Sequence, residues 1–191
     1  MAYILIISIA TIITVSLNIL FNPFNMYFYF YIIAILSYIA IVVIIDAIVA
    51  AIVRALPEKW FNPNKKIFVL TKREKRIYER IGIKKWKDYV PDLGRFTNFQ
   101  KGKIENPRSN EYLSRYMIEA CYGIIIHYVS SPLSYLILLI NYKNTGVWLT
   151  VGLPVAFVNS ILILLPAFTL KYNLHKIKIL YKRNERQLPK A

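Results

Sequence analysis

Four long apolar runs dominate the chain, and stretches of polar residues separate them. The runs cover residues 1–21, 26–56, 116–140 and 147–170. Each is at least as long as the roughly 20 residues that an α-helix needs to cross about 30 Å of hydrocarbon. The pattern therefore predicts an all-α integral membrane protein with about four transmembrane helices.

The first run is expected to be a retained transmembrane helix rather than a secretory signal peptide. It contains no charged residue and ends at Asn22 and Pro23. A signal peptide would carry lysines at its start, a shorter apolar core and a small-x-small cleavage site. None of these features is visible in the sequence.

Lysine and arginine are concentrated on one side of the predicted membrane. Of the 25 such residues, seventeen lie between Arg54 and Arg115 and seven from Lys171 onward, whereas the short connections hold only Lys143. The positive-inside rule then places the long middle segment and the tail in the cytoplasm. With four spans, both termini of this multi-pass protein are also cytoplasmic.

The net charge of the chain indicates its expected partner. A formal charge of +15 would suggest nucleic-acid binding in a soluble protein. Because 57% of the residues are hydrophobic and lie in long runs, we expect an anionic lipid bilayer as the partner and no nucleic acid. The sequence gives no indication of an oligomeric state, and the single cysteine, Cys121, excludes an intramolecular disulfide.

These distributions divide the chain into four parts. Residues 1–56 hold spans 1 and 2, and residues 57–115 form a basic, amphipathic cytoplasmic segment at the membrane surface. Residues 116–170 hold spans 3 and 4, and residues 171–191 form a basic cytoplasmic tail. We call residues 57–115 the basic segment and residues 171–191 the tail.

The basic segment carries helix start and stop signals. Thr71 and Glu74 have capping-box spacing, in which each side chain accepts a hydrogen bond from an unpaired backbone N–H. Gly82 is expected to end this helix. A short second turn is expected over residues 84–89, before a loop over residues 91–110 that is rich in Gly, Asn and Pro.

The basic segment and the tail are both expected to lie on the membrane surface. In the basic segment, Ile77, Ile81 and Trp86 would face lipid while neighbouring lysines reach phosphates. In the tail, the stretch LKYNLHKIKILYKRNER, which contains His175, is expected to form an amphipathic helix bound to headgroups.

Three ionisable residues lie within the apolar runs, namely Asp46, Glu119 and His127. A charged group at mid-membrane costs roughly 3 kcal/mol on insertion scales, so such residues tend to face a polar interior. Asp46 is expected to hydrogen-bond a neighbouring helix or to pair with a lysine. We interpret it as structural.

Glu119 and His127 share one predicted helix. Eight residues correspond to about 12 Å of rise, so the two side chains do not hydrogen-bond each other directly. Glu119 is expected to pair with Arg115, one turn back, or with a lysine of the KKWKD stretch. His127 would then be available as a base, although a lone helical histidine is more often structural than catalytic.

Other catalytic signatures are absent from the sequence. It contains no glycine-rich phosphate loop, no His/Cys cluster at metal-ligand spacing and no nucleophile elbow. We therefore expect neither a metal ion nor a bound cofactor.

Several motifs resemble one known family. KKWK before a proline-containing loop, then MIEACYGIIIHY, then KYN after the last span and ILYKRNER resemble the glycosyl-4,4'-diaponeurosporenoate acyltransferase family. The resemblance implies a bacterial cell-membrane enzyme of carotenoid biosynthesis, which esterifies a sugar hydroxyl of a glycosylated carotenoid with a fatty acyl group. It covers about residues 60–186.

The resemblance also implies roles for particular residues. Glu119 and His127 match the glutamate and histidine of the family, Trp86 and Lys87 match its central basic motif, and Asn173 matches the asparagine after the last span. His127 would accept the proton of the sugar hydroxyl, and Glu119 would orient a lysine or bind a hydroxyl.

The donor would bind to the same basic motif. Lys84, Lys85 and Lys87 would receive the phosphates of acyl-CoA or of the prosthetic arm of acyl carrier protein, and Trp86 would anchor the segment in the membrane interface. Anchoring on anionic headgroups explains the same residues.

Two other functions remain open from the sequence. The chain is also compatible with a non-catalytic helical membrane protein that binds lipid or acts as a scaffold, in which Asp46, Glu119 and His127 join helices by hydrogen bonds. It is further compatible with another lipid-modifying transferase, such as a small membrane methyltransferase.

Overall fold

A computed structural model describes residues 2–21, 27–90, 104–140 and 147–187 of the chain, with side chains described from residue 5 onward. Within these ranges every regular element is a helix, which confirms the predicted fold class. The α-helices in these ranges are α1 (Ala2–Phe21), α2 (Phe28–Ala55), α3 (Lys72–Arg80), α4 (Ile83–Trp86), α5 (Asn110–Leu133) and α6 (Leu153–Gln187).

Short helices of other types extend or join these elements. Within the described ranges, four 3₁₀-helices cover Glu58–Phe61, Lys66–Phe68, Lys87–Tyr89 and Ser134–Leu139. A π-helical turn, Trp148–Gly152, leads into α6.

Three helices in the described ranges are long and apolar enough to cross a membrane. They are Phe28–Ala55, Asn110–Leu139 and Trp148–Gln187, and the apolar helix Leu5–Phe21 is shorter. The predicted spans 2, 3 and 4 thus correspond to the long helices, and predicted span 1 to the shorter one.

The predicted division between span 4 and the tail is not a break in the helix. α6 continues through residue 170 to Gln187 as one 35-residue helix. Residues 171–187 contain neither glycine nor proline, so nothing in the local sequence interrupts the helix.

The chain separates into two units. One comprises Met1–Ala51 with His127–Leu164, and the other Ile52–Ile126 with Leu165–Ala191. The core of the first unit contains Tyr31, Ile35, Tyr38, Val42, Ile137, Val147, Val151, Val155 and Ala156. Hydrogen bonds add to this packing. Asn18 Nδ2 donates to the Thr150 carbonyl at 3.1 Å, and the Ser131 and Ser160 hydroxyls are hydrogen-bonded at 2.8 Å.

The second unit contains a small core, formed mainly by residues of α3, α4 and α6, which we call the aromatic core. Leu70, Tyr78, Ile83 and Tyr172 are buried together, with Trp86 and Phe168 packed against them. A separate aromatic pair is formed by Phe61 and Tyr122, whose ring centroids are 4.1 Å apart.

The predicted start and stop signals of α3 are confirmed. The Thr71 hydroxyl accepts a hydrogen bond from the Glu74 N–H at 3.1 Å, and the Glu74 carboxylate accepts one from the Thr71 N–H at 2.8 Å. Gly82 follows α3 with a φ of 73°, a left-handed conformation that favours glycine. The short turn predicted over residues 84–89 corresponds to α4 and the 3₁₀-helix after it, whereas most of the predicted loop, residues 91–103, lies outside the described residues.

Candidate functional site

Glu119 is held between two arginines in the second unit. Its Oε2 accepts a hydrogen bond from Arg54 Nη1 at 3.0 Å, and its Oε1 accepts one from Arg115 Nη2 at 2.9 Å. The Glu119 side chain is only 11% exposed. The expected pairing with Arg115 is therefore confirmed, and the contact from Arg54, in the last turn of α2, adds a partner that the sequence did not indicate.

The surroundings of Glu119 extend this charge cluster. Arg115 Nη1 donates to Glu58 Oε2 at 3.2 Å. The guanidinium carbon of Arg54 lies 5.8 Å from the ring centroid of Tyr122, within the range of a cation–π contact. Because both oxygens of Glu119 are engaged, the arrangement joins α2 to α5 and suits a positioning role.

His127 lies eight residues after Glu119 on α5, in the first unit. Its side chain is half-buried, and its Nδ1 is shielded from solvent. Its role as a base stays a prediction.

The predicted donor residues of the basic segment have diverse surroundings. Lys84 Nζ lies 3.3 Å from Glu79 Oε1, and Lys87 Nζ lies 2.8 Å from Asp88 Oδ1, whereas Lys85 is exposed. A role of these three lysines in donor binding stays a prediction.

The Trp86 side chain is partly buried and packs against the protein. Its Nε1 donates to the Ile81 carbonyl at 3.0 Å, and its ring contacts the aromatic core of the second unit. Ile77 and Ile81, which we expected beside it on the lipid-facing side, are each 47% exposed. Its predicted anchoring role is not tested by these contacts.

The tail contributes buried residues to the second unit. Lys171, Tyr172, Asn173, Leu174 and Ile177 are all buried. At these positions α6 packs on protein, which the expectation of a helix bound to headgroups did not include. Lys176, in contrast, is exposed.

A basic cavity lies between α3, α4 and α6 in the second unit. Its volume is about 280 Å³, and it is lined by Lys75, Glu79, Lys84, Tyr172, His175, Lys176 and Ile179. We call it the basic cavity. Of the predicted site residues, only Lys84 is part of its lining.

A signal for the basic cavity was present in the sequence. Tyr172, His175, Lys176 and Ile179 follow the i, i+3, i+4, i+7 spacing of one helix face, and Lys75 and Glu79 are one turn apart. What the sequence did not indicate is that these two faces meet.

A second cavity, in the first unit, is much smaller. Its volume is about 20 Å³, room for about one water molecule, and it is lined mainly by apolar residues of α1, α2 and α6. It is too small for an acyl chain. Neither this cavity nor the basic cavity has Glu119 or His127 in its lining.

Two further sequence-based expectations concern metals and Asp46. In the described part of the chain, no three His, Cys, Asp or Glu residues are grouped so that they could hold a metal ion. The Asp46 Oδ1 atom is buried and has no hydrogen-bond partner among the described residues, so the expected interhelical bond is not seen at that atom.

The family model of glycosyl-4,4'-diaponeurosporenoate acyltransferase matches residues 57–183, about two thirds of the chain. The chain belongs to this family. Membership in the glycosyl-4,4'-diaponeurosporenoate acyltransferase family makes it an acyltransferase of carotenoid biosynthesis and implies that it acts on a glycosyl carotenoid. No curated protein and no solved structure significantly matches the chain.

The matched region contains most of the features described above. It includes Glu119 and His127 on α5, the described parts of the basic segment and the lining of the basic cavity. The glycosyl-4,4'-diaponeurosporenoate acyltransferase family match begins after α1 and α2.

Proposed function

We propose that this family member transfers a fatty acyl group from a thioester donor to a sugar hydroxyl of a lipid-soluble glycosylated acceptor, a glycosylated carotenoid. The observation that carries the proposal is the family match over residues 57–183, which includes α5 and nearly all of α6. The apolar helices on either side of the basic segment suit an acceptor that is itself dissolved in the bilayer.

The reaction joins a hydroxyl and an acyl thioester. The hydroxyl oxygen attacks the acyl carbonyl, a C–O bond forms and the C–S bond breaks. The proton of the hydroxyl passes to a base and then to the departing thiolate, so the products are an ester and a free thiol. The protein must therefore supply a base and hold both substrates in line.

We assign the base to His127. A neutral imidazole can accept the hydroxyl proton and return it to the leaving group in the same cycle. The family match over residues 57–183, which includes His127, supports this assignment.

Glu119 is assigned a positioning role in this proposal. Its carboxylate oxygens accept hydrogen bonds from Arg54 and Arg115, and the contacts fix the approach of α2 to α5 within the second unit. The proposed donor- or headgroup-binding residues are Lys84, Lys85, Trp86, Lys87 and Asn173.

The proposed location is the inner surface of a bacterial cell membrane. The excess of Lys and Arg in the basic segment and tail supports a cytoplasmic position for both, and for both termini. Anionic headgroups would be the lipid partners, and acyl-CoA or acyl carrier protein the donor.

The experiment is reconstitution of the purified protein in proteoliposomes. Wild-type protein is given a labelled acyl thioester and a glycosylated carotenoid, and products are analysed by liquid chromatography and mass spectrometry. We expect a mono-ester whose acyl group lies on the sugar, and none with the sugar-free carotenoid acid as the matched control acceptor.

A lipid-binding or scaffolding protein would give a different result. If folded protein forms no ester with acyl-CoA or with acyl carrier protein as donor, the transferase proposal is wrong. An unchanged lipid profile in a deletion strain, with no accumulated unacylated glycoside, would lead to the same conclusion.

A further inference from the structure

The basic cavity has the chemistry of a phosphate site. We propose that it binds the phosphate groups of the acyl donor, and that this donor is a coenzyme A thioester. The identity of the bound molecule as acyl donor rests on the proposed function, whereas phosphate binding itself rests on the cavity alone.

Residues of three helices line this cavity. Lys75 and Glu79 lie one turn apart on α3, with Lys84 from α4 nearby, and α6 supplies the opposite wall. A volume of about 280 Å³ is near the lower end for small-molecule sites. It accommodates a phosphorylated fragment of a donor, while the acyl chain would remain outside.

The lysines outnumber the single carboxylate of the lining. Lys84 pairs with Glu79 at 3.3 Å, but no carboxylate of the described residues forms an ion pair with Lys75 or Lys176. Lys176 instead lies with its Nζ 5.0 Å from the ring centroid of Tyr172. Two ammonium groups are thus available for an anion, and such groups bind phosphate oxygens by charge-assisted hydrogen bonds.

The walls of the cavity are held in place next to these lysines. Lys171, one residue before Tyr172, forms a 2.6 Å ion pair with Glu74, one residue before Lys75. Tyr172 is only 4% exposed and packs with Tyr78 and Ile83 in the aromatic core. A site whose walls are fixed before binding loses less conformational entropy when the ligand arrives.

The number of cations favours coenzyme A over a lipid headgroup. Coenzyme A carries a pyrophosphate and a separate phosphomonoester, whereas a phosphodiester headgroup such as phosphatidylglycerol carries one charge. Two available lysines, with Lys84 as a third cation beside Glu79, match the first ligand better than the second. The same lysines would contact either source, so the test must separate them.

The test measures binding of coenzyme A to the full chain in nanodiscs of phosphatidylcholine alone, by isothermal titration calorimetry. The test variant is Lys75→Gln/Lys176→Gln. The matched control is Lys72→Gln/Lys182→Gln, which removes the same charge from α3 and α6 at exposed positions outside the cavity lining.

We expect wild-type protein to bind coenzyme A and the test variant to bind it at least tenfold more weakly. The control variant should stay within about twofold, and Lys75→Arg/Lys176→Arg should retain most of the affinity because it keeps the charge. Should the glutamine variant fail to fold, the arginine variant and a KCl titration of wild-type binding still test the site, since phosphate binding must weaken with salt.

Three results would overturn the inference. They are no binding of coenzyme A by wild-type protein, equal binding by the test and control variants, and a glutamine pair that lowers only the recovery of phosphatidylglycerol with the protein from mixed nanodiscs. The last result would assign the lysines to headgroups.

Turnover measurements separate this inference from the proposed function. If wild-type protein forms the ester and the test variant has an unchanged KM for acyl-CoA, the cavity assignment fails and the transferase stands. If wild-type protein binds coenzyme A through these lysines but forms no ester, the phosphate site stands and the transferase proposal fails.

Discussion

Lys171 Nζ lies 2.6 Å from Glu74 Oε1, although the two residues are 97 positions apart in the chain. The Lys171 side chain is 6% exposed and that of Glu74 is 32% exposed. The same carboxylate caps the start of α3 through Thr71. One glutamate therefore both starts α3 and joins it to α6.

Removing the charge of Glu74 is expected to destabilise the protein. Glu74→Gln leaves the buried Lys171 ammonium without its carboxylate, and loss of one partner from a buried pair costs on the order of 3 kcal/mol. The measurement is thermal unfolding in detergent, followed by Tm.

Replacing Lys171, the other partner of this ion pair, should lower the stability of the protein less. Lys171→Met removes the buried charge itself and leaves Glu74 partly exposed, with its Thr71 hydrogen bonds intact. A Tm for Glu74→Gln equal to or above that of Lys171→Met would contradict this account of the ion pair.

The interactions of Glu74 also predict that the stability of the protein depends on pH. Burial raises the pKa of the Glu74 carboxyl, but hydrogen bonds from Lys171 and Thr71 outweigh it, so the pKa lies below its ordinary value of 4.5. A depressed folded-state pKa contributes stability that is complete above the unfolded-state value and is lost as pH falls through the folded-state value. The Tm difference between wild type and Glu74→Gln should therefore be constant near neutrality and shrink below about pH 4.5.

A Tm difference that instead grows as the pH falls would mean that the carboxylate is not the stabilising form. Thermal unfolding at a series of pH values from neutral to acidic decides between these outcomes, with Lys171→Met as the reference in which the pair is already absent.

Gly82 is expected to be needed for its backbone conformation alone. Its φ is 73°, and a Cβ atom added there would meet nothing within 4 Å. Gly82→Ala should therefore lower stability by about 1 kcal/mol through backbone strain, and Gly82→Asn by less, because asparagine tolerates the left-handed region better. Equal Tm values for the alanine and asparagine variants would show that strain is not the cause.

The sequence was informative where local geometry determines the structure. The capping box at Thr71 and Glu74 and the stop at Gly82 depend only on residues a few positions apart, and both were predicted correctly. The apolar runs likewise predicted the long helices, because their length and composition suffice for that purpose.

Contacts between distant residues were not predictable in the same way. Nothing in the local sequence indicates that Glu74 will meet Lys171, or that Arg54 will reach Glu119, since both contacts depend on how helices pack. Transmembrane packing follows shape and small residues rather than hydrophobic periodicity. The basic cavity was missed for this reason, although each of its walls has a regular helical spacing.

Because two arginines contact Glu119, its substitution is expected to lower the stability of the protein. Glu119→Gln leaves Arg54 and Arg115 without a carboxylate between them, at a cost of about 1 kcal/mol, because both arginine side chains are about half exposed. Arg54→Ala should show coupling to Glu119→Gln in a double-mutant cycle measured by thermal unfolding.

Stability and turnover together determine the role of Glu119. If Glu119 acts only by positioning, the transfer activity of Glu119→Gln falls together with its folded fraction. Wild-type stability combined with a loss of kcat greater than about 100-fold would instead indicate direct participation in catalysis.

The most direct test of the central claim is the rate of acyl transfer by His127→Gln in proteoliposomes. Loss of a general base is expected to lower kcat by about 10²- to 10⁴-fold, with Tm and helix content close to wild type. Transfer at the wild-type rate by folded His127→Gln protein would contradict the assignment of His127 as the base.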